Sequence, residues 1–207
     1  VKRKWLKNSP LLVYTGTFGL VNGVSFLVDI AEQLIFLNSN VKILLLGHGI
    51  EFESVKSYAI EKNVLNTNLF IEPSINKEEL PEVLSAASLA SNLVIDVPEL
   101  WNNSANKFFD ALASGTPVLI NGSGWQADLI NKTNTGIVTY GLSIEQSAKA
   151  VNDFLNNEDL LKESSINALN LSKEFFDKDK LVMEVEEVLY LSLKQEREKP
   201  SKVHKND

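Results

Sequence analysis

The segment NNSANKFFDALASGTPVLI, residues 102–120, contains the residue types that could hold a phosphorylated ligand. On a helix that begins near Asn103, the three-to-four spacing places five polar residues on one side: Asn103, Asn106, Lys107, Asp110 and Ser114. The free N–H groups of the first helical turn and Lys107 would bind phosphates, and the Asp110 carboxylate would accept hydrogen bonds from a sugar diol. An Asn N-cap followed by a solvated face also explains the pattern. The apolar run that follows favours a helix packed into a sheet.

Glycines in the segment TGTFGLVNG, residues 15–23, indicate a second place where a ligand could approach the backbone. Gly16, Gly19 and Gly23 permit tight turns and close contact with an anion. Their spacing matches neither the dinucleotide fingerprint nor a Walker loop. A plain structural turn and an anion-binding loop therefore both remain open.

The segment LLLGHGIEF, residues 44–52, contains Gly47 and Gly49 but has Phe52 where a dinucleotide fingerprint needs a third glycine. This disfavours a nicotinamide site and a dehydrogenase. His48 lies between the glycines, and the local sequence places no carboxylate or nucleophile beside it. We therefore interpret His48 as an exposed loop residue rather than a ligand contact.

The order of apolar runs and helical patterns positions these loops. Short, two-sided apolar runs predict strands of a parallel sheet that is covered on both faces; they span 11–15, 41–46, 68–71, 89–95, 116–120 and 136–140. Helical spacing predicts helices between them at 23–37, 51–62, 76–86, 103–114 and 125–131. The alternation predicts a doubly wound, mostly parallel six-stranded α/β sheet that is Rossmann-like, in which ligands bind at the carboxyl ends of the strands.

The C-terminal part of the chain is predicted to be helical, at 143–156, 158–171 and 174–195. The last of these predicted helices has an apolar face, which is typical of a helix that lies on an apolar surface; it is formed by Leu181, Val185, Val188 and Leu189. We expect an N-terminal linker or extension over 1–9, one domain over 10–195 and a charged flexible tail over 196–207.

Composition excludes several classes of function. The net charge of −7 and a pI near 5.0 argue against a sequence-independent nucleic-acid binder. The chain has no Cys and two His, so we expect no metal site. No apolar run is long enough to span a membrane, and the first ten residues lack a signal-peptide core. Because the chain begins without Met, we expect it to be an excised piece of a longer protein.

Four segments together resemble a known enzyme family: YTGTFG, ILLLGHG, NNSANKFFDALASGTPVLI and GSGWQADLI. They are similar to the C-terminal, donor-nucleotide-binding half of retaining GT-B glycosyltransferases of family four. The similarity is greatest to the bacterial surface-polysaccharide group of amino-sugar (fucosamine-type) transferases. It extends from about residue 10 to residue 190.

The resemblance implies a role for Asp110, which would bind the ribose hydroxyls of the sugar nucleotide. Asn102 occupies the position where the family has a Glu near the donor sugar. Thr17 and Asn22 occupy positions where the family has an Arg and a Lys on the pyrophosphate. Lys107, close to a helix N-terminus, is the expected substitute for these cations.

The resemblance also implies the remaining contacts. Backbone amides at Gly19, Asn103 and Ser104 would assist with the phosphates, the base would lie near Glu72, and the sugar would lie near Gly124, Trp125 and Asn102. The expected binding residues are Gly16, Thr17, Gly19, Glu72, Asn103, Ser104, Lys107, Asp110, Gly124 and Trp125, and the candidate catalytic residues are Asn102 and Lys107.

We therefore expect the donor-binding domain of a hexosyltransferase that moves a hexose or amino-hexose, with retention, onto a bacterial cell-surface glycan. The donor would be a UDP- or GDP-sugar, with no cofactor and no metal. The expected partners are an N-terminal acceptor domain and a lipid-linked glycan at the membrane, and the expected location is the cytoplasm, at the inner face of the membrane. This piece alone would be inactive because the acceptor half is missing, and its last helix would expose apolar surface over 181–193.

Two alternatives belong to other classes of function. A GT-B-type sugar-nucleotide epimerase would need acid and base carboxylates and a His in the cleft. A non-catalytic nucleotide-binding module would be identified by the absence of nucleotide-dependent stabilisation.

Overall fold

A computed structural model describes residues 3–198, with side chains described up to Lys194. The sheet in this part of the chain has six parallel strands in the order β3-β2-β1-β4-β5-β6. The strands are β1 (Leu11–Thr17), β2 (Lys42–His48), β3 (Leu69–Glu72), β4 (Leu89–Asn92), β5 (Val118–Ile120) and β6 (Gly136–Val138). The predicted Rossmann-like α/β class is confirmed.

Helices connect the strands and then extend beyond β6. They are α1 (Phe26–Phe36), α2 (Phe52–Glu61), α3 (Leu80–Ala86), α4 (Asn106–Ala113), α5 (Trp125–Thr133), α6 (Ile144–Leu155), α7 (Glu158–Phe175) and α8 (Lys178–Glu198). Short 3-10 helices precede α3 and α4, at Lys77–Glu79 and Pro98–Leu100. The sheet order reverses between β1 and β4, because β1 is followed in sequence by β2 on one side and the chain later returns to β4 on the other.

The core consists of two apolar layers, one on each face of the sheet. Alternate residues of β1 show this: Leu12 and Tyr14 belong to one layer, and Leu11 and Val13 belong to the other. Helices α1 and α6 pack together over the first layer, and α4 packs against α7 over the second. Burial on both faces is the reason that the strands have continuous rather than alternating apolar sequences.

Several element boundaries differ from the sequence prediction, and two of these differences determine the connection between β4 and α4. Strand β4 ends at Asn92 rather than at residue 95, because the Asn121 side chain takes both backbone bonds of Val94, at 2.9 and 2.8 Å. Helix α4 begins at Asn106 rather than at residue 103, because Ala105 has the extended backbone of an N-cap. Residues 93–105 therefore form a long connection between β4 and α4, which includes the 3-10 helix at Pro98–Leu100.

The segment predicted as a linker packs against the domain in its described part. The Arg3 guanidinium donates to both carboxylate oxygens of Glu72, at 2.9, 3.1 and 2.7 Å. The Trp5 ring stacks on Phe70, with ring centroids 3.8 Å apart. These contacts cover β3, which is an edge strand of the sheet.

Helix α8 exposes its apolar residues, as expected for 181–193. Leu181, Val185, Val188, Leu189 and Leu193 are between 43% and 63% exposed. Within the described part of the chain, this apolar stripe therefore does not lie on an apolar surface. None of the described helices is both long and apolar enough to cross a membrane. The helix continues to Glu198, so the first residues of the predicted tail are helical, and 199–207 lie outside the described residues.

Close backbone contact between β1 and β2 gives a first prediction. A Cβ atom at Gly47 would lie 1.8 Å from the Gly16 carbonyl oxygen, whereas one at Gly19 would lie 3.6 Å from its nearest neighbours. We expect Gly47→Ala to lower the free energy of unfolding by about 2 to 3 kcal/mol, because the strands must separate. Gly19→Ala is the matched control and should change it by less than about 1 kcal/mol. Equal urea midpoints for the two variants would contradict this account of the β1–β2 contact.

Candidate functional site

A cleft of about 600 Å³ opens at the carboxyl edge of the sheet, beside the point where the strand order reverses. Open α/β sheets bind ligands at this position. The cleft is lined by residues from the ends of β1, β2 and β4, from the loop after β3 and from the start of α4: Thr15, Gly16, Thr17, Val21, Asn22, Leu46, Gly47, His48, Ser74, Ile75, Asn76, Lys77, Leu80, Asn92, Leu93, Asn103, Ala105, Asn106, Lys107 and Asp110.

The hydroxyl group of Tyr14 connects the end of β1, the loop after β1 and the start of α4. It donates to the Thr17 carbonyl oxygen at 2.6 Å and accepts from Asn22 Nδ2 at 2.9 Å. It also accepts from Lys107 Nζ at 3.1 Å. Burial raises the pKa of Tyr14 to about 12, so the hydroxyl stays protonated at neutral pH.

Lys107 places a half-buried ammonium group in the cleft. Its Nζ lies 4.5 Å from the centre of the Tyr14 ring, a cation–π geometry. In the part of the chain that the structure describes, no carboxylate lies within ion-pair distance of it. Burial lowers the pKa of Lys107 from 10.5 to about 8. The lysine is thus mostly protonated at pH 7, and its charge is only partly compensated.

Asp110 lies one turn further along α4 and also lines the cleft. Burial raises the pKa of its carboxyl group, and the charge of nearby Lys77 opposes that shift. Lys77 is an exposed residue at the start of the short 3-10 helix that follows β3, and it lines the same cleft. The site therefore combines two cations with one carboxylate.

The structure brings five of the predicted binding residues together. Gly16, Thr17, Asn103, Lys107 and Asp110 all line the cleft. Gly16 has a φ of +144°, and a Cβ atom there would lie 3.0 Å from Lys107 Nζ. The absence of a side chain at Gly16 therefore makes room for the ammonium group.

The other predicted residues do not line the cleft. The Glu72 carboxylate instead accepts a bidentate hydrogen bond from Arg3. Trp125 packs in the core, where its ring contacts Phe108 and Phe109.

Four further residues lie in the loops around the cleft without lining it: Asn102, Ser104, Gly19 and Gly124. Asn102 Oδ1 lies 3.1 Å from the position that a Cβ atom on Gly124 would take, so these two residues are neighbours. Asn103 and Ser104 precede α4 instead of forming its first turn, because the helix starts at Asn106.

Sequence reasoning missed three features of the site. Tyr14 lies inside an apolar strand run, and nothing in that run indicates its hydroxyl contacts. Lys77 could have been found, because it follows a predicted strand at the ligand-binding edge. His48 was interpreted as an exposed loop residue. It is exposed, but it lines the cleft and its Nδ1 lies 3.2 Å from Ser74 Oγ.

The fold and the cleft define a Rossmann-like α/β domain with a cleft at the carboxyl edge of its sheet. Residues 1–170 match the family model described as Glycosyl transferases group 1. The chain therefore belongs to this family of glycosyltransferases. A search of curated proteins found no match.

Solved GT-B glycosyltransferases have the same fold at low sequence identity. HepE from Anabaena, in complex with UDP and glucose, aligns with a TM-score of 0.76 at 16% identity, over 89% of this chain and 49% of HepE. Sucrose-phosphate synthase from Thermosynechococcus elongatus aligns with a TM-score of 0.76 at 20% identity, over 90% of this chain and 46% of the synthase. A TarM mutant from S. aureus, in complex with Fondaparinux, alpha-GlcNAc-glycerol and UDP, aligns with a TM-score of 0.72 at 16% identity. The alignment covers 84% of this chain and 34% of the TarM chain. The chain spans half or less of each of these proteins.

The lowered pKa of Lys107 predicts a stability effect at alkaline pH. Between about pH 8 and 10.5 the unfolded state binds more protons at this lysine than the folded state, so its contribution to the free energy of unfolding rises with pH. Between pH 8 and pH 9.5, we expect the free energy of unfolding of the wild type to rise by about 1 kcal/mol relative to that of Lys107→Arg. The reason is that Arg stays protonated in both the folded and the unfolded state. Urea unfolding at both pH values measures the difference. Parallel pH profiles for the two proteins would contradict the buried-lysine account.

The Tyr14 hydroxyl gives a second prediction for the site. Tyr14→Phe removes three hydrogen bonds at a buried position, so we expect the free energy of unfolding to fall by about 1 to 3 kcal/mol. The matched control is Tyr58→Phe, which removes one hydrogen bond, to Asp29 at 2.6 Å, from a less buried residue. It should lower the free energy of unfolding by less than Tyr14→Phe does, because one partly exposed hydrogen bond is lost instead of three buried ones. Equal losses in urea unfolding would show that the Tyr14 contacts add no stability beyond a surface bond.

Proposed function

We propose that this chain is the donor-binding domain of a glycosyltransferase that transfers a hexose or amino-hexose, with retention, onto a bacterial cell-surface glycan. The donor is a nucleoside-diphosphate sugar of the UDP or GDP type, and no cofactor is required. The acceptor is bound by a second, N-terminal domain and is a lipid-linked glycan. The enzyme works in the cytoplasm at the inner face of the membrane, and this chain by itself transfers no sugar.

The observation that carries the proposal is the half-buried Lys107 ammonium beside the backbone of Gly16, without a carboxylate partner among the described residues. A charge placed this way is stabilised by an anionic ligand. The N-terminus of α4, where Lys107 is the second residue, adds N–H groups and a favourable dipole. A diphosphate would fit between this helix and the loop after β1.

Asp110 supports a nucleotide rather than a simple anion. Its carboxylate lies in the same cleft, one helical turn from Lys107. In this position the carboxylate would accept charge-assisted hydrogen bonds from the two ribose hydroxyls. Ile75 and Leu80 provide apolar lining that suits a base.

Catalysis in this arrangement is electrostatic. As the glycosidic bond to the diphosphate breaks, negative charge builds up on the leaving phosphate. Lys107 and the first N–H groups of α4 stabilise that charge, and Lys77 adds a second cation at the cleft wall. The glycosyltransferase structures with bound UDP, HepE and the TarM mutant, support a uridine donor by analogy.

Ligand titration tests the proposal. We expect UDP or GDP to bind, and Lys107→Met to weaken diphosphate binding about tenfold or more, with little effect on the nucleoside.

Asp110→Asn should weaken nucleotide binding by roughly 1 to 3 kcal/mol, and the 2′-deoxy nucleotide should bind wild type less well. Calorimetry at two salt concentrations measures these effects, and salt should weaken the wild type more than Lys107→Met.

Matched controls use charges outside the cleft. Lys132→Met and Asp128→Asn change exposed residues of α5 and should leave all affinities unchanged. If folded protein binds neither nucleotide, the proposed function is wrong. If nucleoside and diphosphate lose affinity equally in Lys107→Met, the phosphates are held elsewhere.

A further inference from the structure

The first described residues of the chain form a strap across β3. We define the N-terminal strap as residues 3–9, in which two turns are closed by backbone hydrogen bonds. Leu6 N donates to the Arg3 carbonyl oxygen at 3.1 Å, and Ser9 N donates to the Leu6 carbonyl oxygen at 3.0 Å. Trp5 and Leu6 also pack against the second apolar layer of the core. The strap is therefore held on the domain by its own turns and by apolar contacts.

A charged contact joins the strap to Glu72, the last residue of β3. The Arg3 guanidinium donates to both carboxylate oxygens, and the two side chains are only 14% and 33% exposed. A bidentate, partly shielded pair of this kind is geometrically specific and stronger than a fully exposed ion pair. It fixes the Glu72 side chain at the carboxyl edge of the sheet.

Glu72 transmits this constraint to the connection that lines the cleft. Pro73 follows it directly. A residue before proline is restricted to extended backbone, and the proline ring fixes its own φ, so the two residues form a stiff dipeptide. The cleft-lining residues of the connection between β3 and α3, with the first residue of α3, come immediately afterwards: Ser74, Ile75, Asn76, Lys77 and Leu80.

The side-chain hydrogen bonds described beyond Pro73 are exposed to solvent. His48 Nδ1 lies 3.2 Å from Ser74 Oγ, and the Asn76 backbone N–H donates to the Glu79 carboxylate at 3.1 Å. Exposed hydrogen bonds open at a lower free energy than buried ones. The position of the connection at the cleft therefore depends on its anchored end, at Glu72.

We propose that Arg3 is a positioning residue for nucleotide binding: through Glu72 it holds the connection after β3 in the conformation that receives the base. The inference rests on the proposed function, because it takes the base of the bound nucleotide to lie on Ile75 and Leu80. Without the ion pair, side chains of this connection must be ordered when the nucleotide binds, which lowers its affinity. The phosphates bind at Lys107, on α4, so their binding does not need the strap.

Calorimetry on the 207-residue chain with UDP, GDP and inorganic pyrophosphate tests the inference. We expect Arg3→Met to weaken binding of the nucleotide that wild type prefers by about three- to tenfold, which corresponds to ordering about one side chain on binding. Glu72→Gln should have an effect of similar size. The double variant should lose no more than either single variant, because all three break the same pair. Pyrophosphate affinity should stay unchanged, since this ligand has no base.

The matched control is another partly exposed ion pair. Lys62 Nζ lies 2.9 Å from Glu32 Oε2, the two side chains are 27% and 25% exposed, and neither residue lines the cleft. Lys62→Met and Glu32→Gln should leave all three affinities unchanged. Arg3→Lys keeps the charge but not the planar fork, so it should weaken nucleotide binding less than Arg3→Met does.

A selective loss of nucleotide affinity supports the inference, because partial unfolding would weaken nucleotide and pyrophosphate binding alike. If wild type binds a nucleotide and the Arg3 and Glu72 variants keep that affinity, the strap only covers the edge of β3 and the inference is wrong. Equal losses for nucleotide and pyrophosphate would overturn it as well, and in both cases the proposed function stands. If Arg3→Met does not fold, Glu72→Gln decides the same question. If wild type binds neither nucleotide, the proposed function is wrong and the inference is overturned with it.

Discussion

The hydroxyl group of Tyr14 is the interaction on which the geometry of the cleft depends. Its single proton goes to the Thr17 carbonyl oxygen, and its two acceptor positions are filled by Asn22 and Lys107. These three bonds join the end of β1, the loop after it and the start of α4. The loop conformation and the position of the lysine are therefore set together.

The same interaction explains how an acidic protein presents a cationic site. The chain has a net charge of −7, so its overall field does not attract phosphates. The local field differs because Lys107 is half-buried and faces an aromatic ring instead of a carboxylate. Burial of a charge in a medium of low polarity strengthens its interaction with an anion in the cleft. Charge placement, rather than total charge, supports the proposed diphosphate site.

Glycines at the carboxyl edge of the sheet bring the cleft walls close together. Gly47 allows β2 to contact the Gly16 carbonyl, and Gly122 allows the loop after β5 to contact Trp101. Gly16 and Gly47 both line the cleft, so the first contact lies at its wall. The close approach of these segments therefore depends on residues without a side chain.

The sequence by itself determined the fold class and part of the site. Short apolar runs without alternation indicate strands buried on both faces, and the helical segments between them predict parallel connections. The polar residues Lys107 and Asp110 could be placed in the site because helical spacing is local and regular. Gly16 was found from the glycine pattern of residues 15–23 and Thr17 from the resemblance to the glycosyltransferase family, and both lie at the end of β1.

The tertiary structure decided what local patterns do not encode. The Tyr14 contacts join residues 93 positions apart, and the Asn121 bonds that end β4 join loops 27 positions apart. Glu72 is bound by Arg3 and Trp125 packs in the core, because neighbours distant in sequence compete for their side chains. Helical and strand periodicity report which face of an element is apolar. Hydrogen-bond partners and the shape of a cleft depend on which elements meet, and the folded sheet sets that.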